Sequence, residues 1–306
     1  MSGTSRGLEQ KGKWTVMTGT PVIVRTRADL ANSLEARHKR AHIVAFVPTM
    51  GALHEGHCSL LRRARTLGDT VVVSIFVNPL QFGPGEDLDR YPRALQSDVA
   101  TCRQEKVDVI FAPAPQVVYP QPPRVTVSAG ELGAVLEGAN RSGHSDGVLT
   151  VVLKLFHLVR PDVAVFGEKD AQQLMLVRRM AHDLDVAVRI ESVPTVRDPD
   201  GLACSSRNRY LSPAERRTAL ALPQALRAGA ALATSGPKVV CQAARAVLDE
   251  AARADPPLAL DYLALVDPTT FAEVSAPGNG TALLVVAGRV GATRLIDNLS
   301  MSFPGG

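Results

Sequence analysis

The stretch that most constrains this chain is Thr70-Val-Val-Val-Ser-Ile-Phe-Val77, which is β-branched or apolar at almost every position. A strand with one face in water alternates apolar with polar residues. A run without alternation needs cover on both faces, the condition of an inner parallel strand flanked by helices. The neighbouring sequence supplies that cover. Thr26 suits the N-cap of a helix carrying Leu30 and Leu34 at i,i+4 spacing, and His42-Ile-Val-Ala-Phe-Val47 reads as a buried strand. A turn and a helix-compatible segment to about Leu67 then complete a first β-α-β unit. Similar units recur: a helix near Ala94 to Gln104, a strand at Asp108 to Phe111, a helix near Gly147 to Val159 and a strand at Asp162 to Phe166. A helix from Ala171 to Leu184 and a strand at Val186 to Ile190 follow. The alternation predicts an α/β fold with a doubly wound parallel sheet, Rossmann-like, whose ligands sit at the carboxyl ends of the strands.

The pattern changes after Pro194. Two alanine-rich helical stretches between about Pro213 and Ala254, then strands at Leu260 to Val266 and Leu283 to Ala287, make a smaller α+β arrangement. The expected division is residues 1–20 as a loose tail, 21–195 as the Rossmann-like domain and 196–306 as a C-terminal lid domain. With 306 residues and 45% hydrophobic content, both parts can bury a core.

Several function classes are disfavoured. No stretch approaches the roughly 20 apolar residues of a membrane span, and the first twenty residues lack a signal-peptide pattern, so no membrane partner and a cytoplasmic location are expected. Cys58, Cys102, Cys204 and Cys241 form no CxxC pair, which suggests neither a zinc knuckle nor a disulfide framework. The net charge of +4 is mild, and the basic run Arg62 to Arg65 fits a solvated helix face. No nucleic-acid partner is expected, whereas a polyanionic small ligand such as ATP would suit a basic pocket.

Four short segments carry candidate chemistry. Pro48 to His57 (PTMGALHEGH) begins where the first long strand ends. Its His54 and His57, three apart, share a face if a helix begins here, and with free N–H groups at the helix start they suit a phosphate. The same HxxH is also compatible with an incidental pair or a metal site. Phe166 to Gln173 follows another strand. Here Gly167 permits a turn, Lys169 can meet phosphate oxygens and Asp170 can accept from ribose hydroxyls, although Glu and Asp also favour any helix start. Cys204-Ser-Ser-Arg-Asn208, past the domain boundary, could close over a triphosphate with Ser205, Ser206 and Arg207, or be an ordinary loop near a helix cap. Asn78-Pro-Leu-Gln81 offers two uncharged amides for a hydroxy acid, or a turn set by Asn-Pro. Placed together at strand ends and a domain junction, these residues form a phosphate-neutralising set suited to nucleotidyl transfer. A carboxylate attacks the α-phosphorus of ATP, and positioning and electrostatics supply the catalysis.

From about Val22 to Asn298 the chain resembles the pantothenate synthetase family, within the nucleotidyltransferase superfamily that includes class I aminoacyl-tRNA synthetases. The resemblance rests on PTMGALHEGH at 48–57, VVVSIFVNPLQFGPGEDLDRYPR at 71–93, GVLTVVLKLFHLVRPD at 147–162, FGEKD at 166–170 and SSRNRYLS at 205–212. It implies an AMP-forming ligase that condenses pantoate with β-alanine through a pantoyl-adenylate. In that reading Met50, Gly51, His54 and His57 line the ATP site, with His57 donating a hydrogen bond or proton to the phosphates. Gly167, Lys169 and Asp170 hold ribose and phosphates, Val196 lies near the adenine, and Cys204, Ser205, Ser206 and Arg207 close over the triphosphate. Gln81 and Gln173 bind pantoate, with Asn78 as a further substrate contact. Magnesium travels mainly on ATP, and Asp98, beside the non-acidic Ser97, is the one candidate metal contact. A homodimer is implied by the resemblance alone. The chain departs from the family pattern at Ala171, where a Tyr is common, at Cys204, where Met is usual, and at Ser142 and Ser145, which interrupt an Arg-Pro-x-His-Phe stretch. Two rivals stay open: a nucleotidyltransferase acting on a different acid or a phosphate ester, and a nucleotide-binding paralogue with weakened turnover.

Overall fold

The computed structural model describes residues 20–274 and 280–303, so the expected tail lies, apart from Thr20, outside the described residues. In chain order the first part comprises β1 (Val22–Val24), α1 (Arg27–Lys39), β2 (Val44–Thr49), α2 (Glu55–Leu67), β3 (Thr70–Ile75), α3 (Leu95–Gln104) and β4 (Val109–Phe111). Two single-turn helices, α4 (Pro115–Val118) and α5 (Glu137–Asn140), precede α6 (His144–Val159), β5 (Val163–Gly167), α7 (Ala171–Asp183) and β6 (Arg189–Val193). The second part holds α8 (Pro213–Ala219), α9 (Ala221–Ala230), α10 (Pro237–Ala251), β7 (Leu258–Val266), β8 (Gly280–Val290) and β9 (Thr293–Phe303).

The first six strands form one parallel sheet in the order β1-β4-β3-β2-β5-β6. From β2 the chain winds outward through β3 to β4, then returns to start β5 on the other side of β2. The order therefore reverses between β2 and β5, the point where a doubly wound sheet opens a crevice for its ligand. Their pairing is short: β2 meets β5 only at Ala45↔Val163 and Phe46↔Ala164, while β2 follows β3 through six pairs. Pro48, which brings no backbone N–H, sits in β2 beyond the last β5 pair, where the missing donor costs no bond to that neighbour. Val71, Val72 and Val73 of β3 are wholly buried, as the apolar run required. Val72 and Phe46 point to the side of α1 and α6, Val71 and Val73 to the side of α2 and α3.

The other three strands form an antiparallel sheet in the order β7-β8-β9. One face packs with α9 and α10 around Leu222, Leu226, Leu248 and Leu284. The other presents Ala264, Val266, Leu283 and Val285, with Phe271, to the core that contains α6 and α7. A second sheet covered on both faces thus links the two parts of the chain.

Some sequence expectations need correction. Three helices, not two, occupy Pro213 to Ala251: the Ser212–Glu215 capping box starts α8, and Pro237 at the first turn of α10 restarts the helix. Strand β6 lies at Arg189–Val193 instead of Val186 to Ile190. Asp185 takes a left-handed turn (φ 49°), so the chain first reaches the sheet opposite Val163. β1 and β9 were not anticipated. β1 is a three-residue edge strand with Val22 and Ile23 exposed, and β9 interrupts its apolar alternation with the buried polar pair Asp297 and Asn298.

Candidate active site

At the β2–β5 switch point lies a cleft of about 230 Å³, walled by residues from both parts of the chain. Met50, His54 and His57 follow β2, Asn78 and Gln81 follow β3, and Gly167, Lys169, Asp170 and Gln173 follow β5. Val196, Cys204, Ser205, Ser206 and Arg207 complete it from beyond β6. Of the site residues expected from sequence, only Gly51 and Asp98 lie off this wall.

Both have a structural reason. Gly51 has φ +83°, and a Cβ there would stand 2.9 Å from an Asp98 carboxylate oxygen, so it turns the chain away from β2 below the cleft. Asp98, 2% exposed, accepts the N–H groups of Ala52 (3.0 Å) and Leu53 (2.8 Å). Burial raises its pKa against the lowering effect of those two bonds. Its carboxylate is engaged in holding the 50–53 loop, which corrects the expectation that it faces a metal. Among the described residues no group of three or more His, Cys, Asp or Glu side chains could hold a metal ion.

The histidines owe their geometry to the start of α2. His54 is the N-cap: its Nδ1 accepts the N–H of Gly56 (3.2 Å), and the N–H of His54 donates to His57 Nδ1 (3.3 Å). The result is a capping box built from two imidazoles, with ring centroids 4.1 Å apart. Since both Nδ1 atoms accept, the proton of each neutral ring sits on Nε2. Burial, with Lys169 nearby, lowers the His54 pKa to about 4. Burial, then the neighbouring His54 and Lys169, lower that of His57 to about 3. At neutral pH the pair therefore offers two neutral Nε2–H donors. Lys169, just past β5, has no hydrogen bond or ion pair from its ammonium among the described residues. Its carbonyl accepts the Asn298 side-chain amide (2.8 Å), as does that of Glu168 (2.9 Å), which fixes the turn to β9. Gly167 needs no special backbone, and a Cβ there would meet nothing within 4 Å, so its bare face belongs to the cleft.

The opposite wall is a loop tied to a linker. Cys204 donates its N–H to the Val196 carbonyl (2.9 Å) and its thiol to Asp198 (3.1 Å). Burial and Asp198 push the thiol up to about 12, so it stays protonated. Ser205 caps a 3₁₀ turn by accepting the Arg207 N–H (3.2 Å), and Ser206 meets the Tyr91 hydroxyl (3.2 Å). The Arg207 guanidinium is already paired: Nε and Nη2 donate to the two Asp87 carboxylate oxygens at 2.8 and 2.7 Å. Burial would raise the Asp87 pKa, but the Arg207 hydrogen bonds and charge hold it below the usual range. Nη1 has no hydrogen bond among the described residues, so its N–H groups are open to donate.

On the acid side, Gln81 is buried, accepts from the Asn78 amide (3.1 Å) and donates to the Met50 sulfur (3.1 Å). Asn78 beside it is fully engaged within the protein. Its Nδ2 donates to Gln81 and to the Gly147 carbonyl (3.0 Å), while Oδ1 accepts the Tyr119 hydroxyl (3.0 Å) and the Leu80 N–H (3.3 Å). On the cleft wall, Asn78 thus uses its hydrogen-bonding groups within the protein and holds Gln81 in place. The neighbouring Gln172 is buried and bonds the backbone at Leu132, Val135 and Glu137, whereas Gln173 faces the cleft.

Sequence reasoning missed Tyr91, Arg141 and His144, all on the cleft wall. His144 Nδ1 donates to the Gln81 carbonyl (2.8 Å), and its Nε2 accepts from Arg141 (2.9 Å). Arg141 in turn holds Glu86 through two bonds of 2.9 and 2.6 Å. The Arg–His pair three apart, from the end of α5 to the first residue of α6, was the available signal.

The chain matches the family model described as pantoate-beta-alanine ligase over residues 22–300. It is 58% identical over 289 residues to the pantothenate synthetase of Thermobifida fusca, covering 92% of this chain and 96% of the relative. Pantothenate synthetase from Thermus thermophilus superposes with a TM-score of 0.83 at 47% identity, covering 92% of this chain and all of that one. The pantoate-beta-alanine ligase of Francisella tularensis, in complex with beta-gamma ATP and β-alanine, superposes with a TM-score of 0.75 at 32% identity, covering 92% and 97%.

Proposed function

Since this chain belongs to the pantoate–β-alanine ligase family, we propose that its central cleft condenses pantoate with β-alanine at the expense of ATP, by way of a pantoyl-adenylate. The observation that carries the reading is the division of the cleft. The two neutral histidine donors and the Lys169 ammonium, without a partner among the described residues, line its β2 and β5 edges, and the uncharged amides of Gln81 and Gln173 line the adjoining side.

In the first step a pantoate carboxylate oxygen attacks the α-phosphorus, the bond to the bridging oxygen breaks, and pyrophosphate leaves. Negative charge grows on the phosphate oxygens, where His54 and His57 Nε2–H groups, Lys169, Ser205 and Arg207 Nη1 would stabilise it. With depressed pKa values the histidines act as hydrogen-bond donors and not as acids. Gly167, Asp170, Val196, Cys204 and Ser206 would frame the nucleoside and phosphates, and Gln81 and Gln173 would orient the pantoate carboxylate and hydroxyls. In the second step the neutral amine of β-alanine attacks the acyl carbon, the C–O bond to AMP breaks, and the amine proton is lost. Magnesium belongs to this proposal as part of the ATP substrate. Asp170 is the one carboxylate on the cleft wall, beside basic and neutral groups, which suits a metal carried by phosphates better than one held by side chains.

The division at residue 195 also belongs to it. A separate apolar core beyond residue 200, and a linker anchored by the two bonds from Arg197 to Asp297 (2.7 and 3.0 Å), support a C-terminal lid that closes on the triphosphate. The cytoplasmic homodimer rests on the family alone, and light scattering at micromolar concentration tests its dimeric state. No helix of the described residues is long and apolar enough to cross a membrane. A phosphate-ester substrate is less well served, because the acid-side guanidinium of Arg141 is committed to Glu86. The direct test is ATP–pyrophosphate exchange without β-alanine. Exchange should require pantoate; exchange with phosphate esters only, or ATP binding without exchange, would refute the reading.

A further inference from the structure

Beside the central cleft lies a second cavity of about 40 Å³, between the first turns of α6 and α7 and the inner faces of β8 and β9. The two cavities share His144, Val148, Lys169, Asp170 and Gln173, so the smaller one is a side pocket of the larger. Its deeper wall is apolar, with Leu149, Leu176, Phe271 and Val285. Two of the three carboxylates on its border are engaged elsewhere, Glu137 with Arg294 and Tyr262 and Asp297 with Arg197, and the third, Asp170, lies on the wall shared with the central cleft. Two small side chains, Ser145 near the start of α6 and Ala171 at the start of α7, both line it. A water needs roughly 10–15 Å³ measured in this way, so the space holds about three water-sized groups, or a few carbon atoms.

We infer that this side pocket widens the acid site, so that the enzyme adenylates 2,4-dihydroxy acids whose C3 substituents are longer than the two methyl groups of pantoate, with Ser145 and Ala171 setting that limit. The inference rests on the proposed assignment of Gln173 to the acid, because Gln173 lies on both walls and brings the acid's carbon chain to the mouth of the pocket. The occupant must be uncharged and apolar. Glu137 and Asp297 are already paired, Asp170 and Lys169 stand only on the wall shared with the central cleft, and nothing on the deeper apolar wall would compensate a new charge. Ser145 and Ala171 act on specificity by leaving room, and neither takes part in the chemistry.

The test is pyrophosphate release at saturating ATP and β-alanine, comparing pantoate with its 3-ethyl-3-methyl and 3-methyl-3-propyl homologues. The chain should use the ethyl homologue with kcat/KM within about tenfold of pantoate. Filling the pocket by Ala171→Tyr, or by the milder Ala171→Leu, should lower kcat/KM for the homologues by a further tenfold or more and leave pantoate within about threefold, the scale on which one methylene in an apolar pocket is discriminated. A wild-type preference for pantoate above a hundredfold would overturn the inference, as would equal losses for all three acids in a folded Ala171→Leu variant. Failure of pantoate itself to release pyrophosphate in the wild type would instead refute the underlying reaction, so the two failures are distinguishable.

Discussion

The substitution Gly147→Ala asks whether the acid side of the cleft depends on the close approach of α6 to the turn bearing Gln81. A Cβ at position 147 would stand 2.1 Å from the Leu80 carbonyl oxygen, 2.5 Å from its carbon and 2.8 Å from the Gln81 nitrogen. All three are backbone atoms, so no side chain can swing away. Even the tightest Cβ contact of about 3.0 Å requires the helix and turn to part by 3.0 − 2.1 = 0.9 Å. That movement stretches the 3.0 Å bond from Asn78 to the Gly147 carbonyl and shifts Gln81 relative to Met50. Overpacking of this kind costs about 1–3 kcal/mol of stability. A displacement of about 1 Å at a substrate-orienting group costs on the order of a hundredfold in rate. The histidine capping box and Lys169 arise from other elements and should stay in place. Thermal unfolding and steady-state kinetics with each substrate varied therefore should show a less stable enzyme whose kcat/KM for pantoate falls about a hundredfold while KM for ATP changes little. Gly83→Ala, whose nearest added contact is an ordinary 3.8 Å, is the control. Wild-type stability and pantoate kinetics in Gly147→Ala would refute the reasoning.

Lys169→Ala should lower pantoate-dependent pyrophosphate exchange by about 10²–10³-fold with little change in melting temperature, as expected for loss of one preorganised charge at a reacting phosphate; an unchanged exchange rate would remove Lys169 from the mechanism. His54 and His57, held near 4 and 3 mainly by burial, should show no imidazole titration by NMR between pH 8 and pH 5 in the ligand-free enzyme. The sign for stability follows: below about pH 6.5 the unfolded chain gains protons that the folded pair refuses, so stability is full above that pH and declines as pH falls toward 4 and 3. A midpoint near 6.5 for either ring would contradict the half-buried, neutral pair. Asp98→Asn should cost about 1–3 kcal/mol in denaturant unfolding, because an amide can accept at only one of the two positions that the Ala52 and Leu53 N–H groups occupy. Its magnesium dependence should match wild type, and a raised magnesium requirement would return Asp98 to the metal.

The doubly wound sheet was legible because its inner strands are covered on both faces, and continuous apolar runs such as Val71 to Val73 have no other use. The switch-point motifs were legible for a related reason: glycine, histidine and lysine immediately after a buried strand can only lie at the ligand edge. What could not be read were the pairings that join distant segments. Nothing local in Asp87 announces Arg207, 120 residues away, and nothing in Asn78 says that its amide is already used by Gly147 and Tyr119. Asp98 was offered to a metal by the family resemblance, and nothing local announces that its carboxylate holds the Ala52 and Leu53 N–H groups, 45 residues or more away. Edge strands such as β1 and β6 were missed or displaced because a strand with one neighbour and partial exposure carries little periodic signal.

The central claim is that the cleft joins the acid to AMP before the amine arrives. Pantoate carrying ¹⁸O in its carboxylate should, on complete turnover with ATP and β-alanine, deliver one labelled oxygen to the phosphate of AMP, because the carboxylate oxygen that attacks the α-phosphorus leaves with it. Label recovered in pyrophosphate, or retained wholly outside AMP, would contradict the account.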